Sequence, residues 1–234
     1  MGNRAALGPR LAVGLCGVLW LLPWSPAARA GQGTGTIQGV VKAATVPAAA
    51  TIKVTTDRQV CGDTLPDHTF AVDGSGGLAN AVISVPGVPW PEAPQAPTLN
   101  NTGCLFVPRV QVAGVKSVVA ITSEDNTLHT THAYDDRNRD LFNIAMPVAG
   151  LTIKRPLPRP GLVRIECDSH GWMRAWMLVT PDVATTSGSD GRFTLAGIPA
   201  GTREVTVWHE KLTAKPQKVT VPAGGTVEVT FALQ

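Results

Sequence analysis

The chain of 234 residues is 44% hydrophobic and only 16% charged, which excludes disorder as its main state. With 24 Gly and 19 Pro it is poorly suited to long helices and well suited to short strands joined by turns. Its formal net charge of +3 belongs to Arg4, Arg10 and Arg29; without them 17 of the 20 basic side chains face 17 acidic ones, so a nucleic-acid-binding surface has no compositional support.

Residues 1–30 read as a secretory signal peptide. Arg4 and Arg10 give a positive start, residues 11–22 an apolar stretch, and Ala28-Arg29-Ala30 a small-x-small cleavage site. Those apolar residues fall well short of the roughly 20 that span a bilayer, and no later stretch is long enough, so no membrane span is expected in the mature chain. Cys16 follows Leu15, where a lipid anchor would need a small residue. Removing 30 of the 234 residues leaves 204, more than one sandwich of about 100 residues requires, so two modules are expected.

Almost every ordered stretch then reads as strand. Residues 36–41 and 51–55 alternate or are β-branched, and residues 79–85 form a buried-strand run. Residues 86–97 carry five prolines, which cannot donate to a ladder, and read as a loop. Strands are expected again at 110–112, 117–122, 128–134, 141–145, 162–167 and 175–180, with the charged run 135–140 as a solvated turn. Residues 184–191 are small and polar and read as a linker. Short strands follow at 192–195, 204–208, 218–221 and 226–233. The fold class is all-β: a Greek-key sandwich over residues 31–183 with an N-terminal extension, then a small second β-module over 184–234.

Three cysteines remain beyond the signal: Cys61, Cys104 and Cys167. Cys61 and Cys104 sit in turn-forming sequence and are expected to pair in an oxidising compartment. Cys167 ends a strand that also carries Val163 and Ile165 on one face, and opens the run Cys167-Asp168-Ser169-His170-Gly171-Trp172-Met173. Thiolate, imidazole and thioether within seven residues suit copper. A second imidazole must come from elsewhere, and His129 and His132 are the candidates. Three residues apart on a strand, they face opposite sides, so only one serves. Zinc rarely takes a thioether. His68 and His209 read as surface or strand histidines, Met146 and Met177 as core, and Trp172 and Trp176 as residues flanking the site. Asn100-Asn101-Thr102 is a glycosylation sequon.

These residues resemble the cupredoxins, the blue-copper sandwich proteins. Cys167-x2-His170-x2-Met173 has the ligand-loop spacing of amicyanin, and plastocyanins have a longer gap before the Met. Residues 106–112 resemble the family's F-x-P-x-x-x-V strand entry, and residues 123–129 the turn leading to the first ligand. The resemblance covers about residues 106–183 and implies one type 1 copper held by His129, Cys167, His170 and Met173, with His132 as the alternative first ligand. Thr130 stands where the family usually carries Asn. The pattern Asp190-Gly191-Arg192-Phe193…Ile198-Pro199-Ala200-Gly201-Thr202 resembles a carboxypeptidase regulatory-like (transthyretin-type) module, whose opening strand resembles residues 35–41, so the N-terminal strands suit either half.

The cupredoxin resemblance implies an exported electron-transfer protein, periplasmic or secreted, serving a transient redox partner. His170 would be the exposed edge for electrons, and Gly171 and Trp172 part of an apolar docking face. Two alternatives remain open: a copper-binding or delivery protein without redox turnover, and a metal-free scaffold or carbohydrate- or partner-binding module. No nucleophile–base pair or paired carboxylates are visible, so an enzyme is not expected.

Overall fold

The computed structural model describes residues 1–2, 8, 33–45, 48 and 50–234. The signal-peptide reading of 1–30, with Cys16, lies almost wholly outside the described residues. No helix among them is long and apolar enough to cross a membrane.

The architecture is all-β. The strands are β1 (Thr34–Ala43), β2 (Thr51–Lys53), β3 (Thr64–Pro66), β4 (Val82–Pro89), β5 (Thr98–Thr102), β6 (Leu105–Val107), β7 (Val110–Gly114), β8 (Val118–Ser123) and β9 (His129–Tyr134). They continue with β10 (Asp140–Met146), β11 (Thr152–Pro156), β12 (Gly161–Glu166), β13 (Arg174–Thr180), β14 (Asp182–Thr186), β15 (Arg192–Pro199), β16 (Gly201–Trp208), β17 (Gln217–Val221) and β18 (Thr226–Leu233). One helical turn, α1 (Arg58–Cys61), lies between β2 and β3.

The strands form two sandwiches. In the first, the sheet β10-β9-β12-β13-β7 faces the sheet β11-β8-β5-β6, and their inner side chains share one core, with Leu99, Ile121, Met146, Ile165 and Met177 at its centre. In the second, β15-β1-β18 faces β14-β4-β16-β17 around Ile37, Ile83, Ile198 and Phe231. Period-two alternation produces both: in β13 Ala175, Met177 and Val179 are buried while Trp176 and Leu178 point the other way.

The sheets do not divide at residue 183. β1 lies between β15 and β18, antiparallel to one and parallel to the other, and β4 lies between β14 and β16. The N-terminal strands, grouped on sequence with residues 31–183, therefore hydrogen-bond within the second sandwich. The expected linker at 184–191 begins as strand β14, and Ser187 behind it is buried, donating to the Leu78 carbonyl and accepting from the Ala81 amide. β4 also continues through Pro86 and Pro89, where a loop was expected. β16 pairs only with Val82, Ile83 and Ser84, and the β14 register shifts between Asp182 and Ala184, so neither proline interrupts a ladder on both sides.

Val82, Val110 and Ala184 join the two sandwiches, with Trp176 and Trp208 meeting edge-on at 5.4 Å between centroids. Trp176 thus serves this junction rather than flanking the loop of residues 167–173. Beside it Arg109 Nε donates to Glu210 Oε1 at 2.7 Å, with the Glu210 side chain 2% exposed. Glu210→Ala would leave the largely buried Arg109 charge without its carboxylate, its other nitrogens still donating to Thr69 Oγ1 and the Arg174 carbonyl, so it should cost about 3 kcal/mol in urea unfolding, against under about 1 kcal/mol for Asp63→Ala at the exposed Arg58–Asp63 pair.

Candidate metal centre

Strand β9 sets the first imidazole. His129, Thr131 and Ala133 point into the first sandwich, and His132 points out. His132 stacks on Tyr134 and reaches the carboxylates of Asp140 and Asp168, so it takes no part in the buried cluster. Strand β12 delivers Cys167 inward after Val163 and Ile165, and the following loop folds His170 back beside it. His129 Nδ1 and His170 Nδ1 stand 3.0 Å apart, and Cys167 Sγ is 3.6 Å from His170 Nδ1. The three donor atoms lie within 4.8 Å of one another, and all three residues are buried. Met173 is buried in the same core cluster as Cys167, and its amide donates to the His170 carbonyl. Met146 and Met177 are core, as expected.

Both imidazoles are held from behind by carboxylates. Asp125 Oδ2 is 3.0 Å from His129 Nε2, and Asp57 Oδ2 is 2.8 Å from His170 Nε2. A carboxylate accepts, so each partner assigns its histidine the Nε2–H tautomer. Two Nδ1 lone pairs then face each other beside a thiol sulfur. That donor set fits a soft-to-borderline cation. Burial pushes the His129 pKa below its ordinary value despite the opposing Asp125 hydrogen bond, which favours the neutral, ligating form of the ring. Thr130, the departure from the family pattern, still braces the loop: its amide donates to Cys167 Sγ at 3.3 Å, and its hydroxyl accepts from the Asp168 amide at 2.6 Å.

Neither carboxylate was identified from sequence as a brace. Asp125 lies in the turn before His129, and accepts from the Gly103 and Cys104 amides. Asp57 is far away in sequence and carried no signal. A second grouping of Cys104, Asp125 and His129 is not a ligand set, because Cys104 is disulfide-bonded to Cys61. That bond is the pairing expected from sequence, and Cys167 is the free thiol among the described residues. One expectation is corrected. His170 is fully buried under Asp57 rather than an exposed edge.

Residues 178–234 match the carboxypeptidase regulatory-like domain. No curated protein sequence matches the chain. Among solved structures, the chain is similar to a copper-containing nitrite reductase from Thermus scotoductus SA-01, at 19% identity and TM-score 0.31, over 38% of this chain and 23% of that one. It therefore spans less than a quarter of that enzyme. It is similar to a purple cupredoxin from Nitrosopumilus maritimus, at 18% identity and TM-score 0.32, over 36% of this chain and 99% of that one. A reduced Cu(I) amicyanin mutant is similar at 14% identity and TM-score 0.32, over 42% of this chain and 98% of that one.

The carboxypeptidase regulatory-like part holds the other buried histidine. His209 is not a surface residue: it packs on Phe70, and its Nδ1 accepts from the Lys211 and Leu212 amides. Burial lowers its pKa too. His129 and His209 therefore take up protons less readily when folded than in the unfolded chain, where both do so below about pH 6.5. The unfolded state binds more protons there, so metal-free stability should be full above about pH 6.5 and fall as pH drops below it. The urea midpoint should be lower at pH 5.5 than at pH 7.5, and His209→Gln should reduce that difference. An equal drop in wild type and variant would remove His209 from the account.

Proposed function

We propose that the protein is an exported, mononuclear copper protein working as a one-electron carrier, in which His129, Cys167 and His170 would hold the copper and the Met173 thioether would add a weaker donor. The observation that supports this reading best is the convergence of two Nδ1 atoms and one Sγ in a buried pocket. Thiolate, imidazole and thioether are the donors of a type 1 copper site. Copper in such a set supplies one-electron redox chemistry. The chain's own residues do the rest. Asp125 and Asp57 orient the imidazoles, the Thr130 amide donates to the sulfur, and the surrounding apolar core excludes water. The signal-like start and the Cys61–Cys104 disulfide support an oxidising, periplasmic or extracellular setting. Its partner would be a redox protein met transiently over a small interface.

Adding Cu(II) to the reduced mature protein is expected to produce a strong visible band. His129→Ala should lose it and His132→Ala keep it; the reverse would transfer the ligand role to His132. No band and no bound copper would leave a scaffold of two β-modules. One observation favours a second reading, in which copper is carried without redox turnover: the outer edge of His170 is closed. Transfer of the metal to a chelating partner, without repeated oxidation and reduction, would select that reading.

A further inference from the structure

We propose that Asp57 is a gatekeeping residue: its carboxylate, carried on the cross-linked segment of residues 51–66, closes the outer edge of His170, so that metal and reagents reach the Cys167 centre only when this segment lifts. The role of Asp57 toward a metal rests on the copper reading, whereas the closure itself does not.

Local conformation gives the first argument. Asp57 occupies the N-cap position of α1, where its side chain would ordinarily accept from a backbone amide of the first turn. It makes no such bond. It adopts a left-handed backbone (φ 50°, ψ 35°) instead, and its carboxylate goes to His170 Nε2 at 2.8 Å. A favourable local interaction is thus forgone for a contact 113 residues away in sequence.

The surroundings give the second. Both nitrogens of the His170 ring are taken: Nδ1 faces His129 and Cys167, Nε2 meets Asp57, and Trp172 lies beside the ring at 5.0 Å between centroids. The ring is fully buried although the Asp57 side chain is 45% exposed. Solvent is therefore one side chain away from the cluster.

Cys104 then couples this gate to the opposite histidine. Its sulfur is bonded to Cys61 at the end of α1, its carbonyl accepts from Trp172 Nε1 at 3.1 Å, and its amide donates to Asp125, which holds His129. One cross-link thus anchors the segments that carry both carboxylates. Apart from it the segment rests on little apolar contact, chiefly Val54, Leu65 and Trp172. It is built to move more easily than the sheets behind it.

The test uses the full metal-free protein with its disulfide intact, and follows alkylation of Cys167 by iodoacetamide. Asp57→Ala is expected to react at least about tenfold faster than wild type, more than its lowered urea midpoint accounts for, since alanine at a left-handed position and an unpaired His170 Nε2 both cost some stability. Asp57→Asn, whose amide can still bond to His170, should stay near the wild-type rate. In unmutated protein, reducing Cys61–Cys104 should also speed labelling of Cys167, read by peptide mapping. Equal Cys167 rates in wild type and Asp57→Ala, or no effect of reduction should the variant not fold, would overturn the gate. In copper-loaded protein, Asp57→Ala should release copper to a chelator correspondingly faster. If copper does not bind while alkylation still depends on Asp57, the copper reading fails and the gate stands.

Discussion

Cys167→Ser is expected to abolish the intense visible band of the copper-loaded protein. The thiolate is the soft, charged donor, and its bond to copper would give both the colour and the electronic route into the protein. Serine offers a hard, neutral hydroxyl, so the band should vanish even where some copper still binds through His129 and His170. The fold should survive. The Thr130 amide that donates to Cys167 Sγ can donate equally to a hydroxyl, so no buried donor is stranded, and far-UV circular dichroism should be unchanged. Met173→Leu is the contrasting case. It exchanges one buried apolar side chain for another of similar volume, which costs under about 1.5 kcal/mol. Copper and colour should persist, and the reduction potential should rise, because losing a donor disfavours Cu(II) more than Cu(I). A spectrum unchanged by Cys167→Ser would end the copper reading of this site.

The sequence made legible what is local and periodic. Alternation placed Cys167 on the same face as Val163 and Ile165, and set His129 against His132. Turn chemistry around Cys61 and Cys104 gave the disulfide. What it hid is what depends on pairing across long separations. Nothing in residues 34–43 states that β1 will lie between β15 and β18, because an alternating strand fits the edge or centre of either sandwich. Proline content suggested a loop in β4, and only the one-sided ladder explains why Pro86 and Pro89 are tolerated. Trp176 looked like part of the site because it follows the ligand loop, but its position on β13 turns it to the other face. The most consequential omission was Asp57. Its contact with His170 spans 113 residues, and it is carried on a segment that the Cys61–Cys104 bond ties to the first sandwich, so nothing local to Asp57 points to it.

Removing that cross-link, by Cys61→Ser with Cys104→Ser, is expected to destabilise the protein by about 4 kcal/mol, from the chain-entropy cost of closing a loop with sequence separation 43. The loop contains β4 and β5, which belong to different sandwiches, so the bond limits the unfolded ensemble of both at once. In the folded state its effect should be concentrated at one end. Cys104 is fully buried beside β5 and β6 and remains anchored through the bonds of its amide to Asp125 and of its carbonyl to Trp172. Cys61 sits on a single helical turn whose neighbouring apolar residues are few. Without the bond, residues 51–66 should open well before the sheets do. The Val54 and Cys61 amides, which donate to the Asp63 and Asp57 carbonyls, should lose most of their protection from hydrogen exchange. Amides of β9, β12 and β13 should lose protection only as far as global stability falls. A urea midpoint corresponding to less than about 1 kcal/mol of loss would show that the cross-link contributes little to the fold. Protection lost uniformly across β9 and the 51–66 segment would show instead that the two unfold as one unit, and that the segment over His170 has no independent motion.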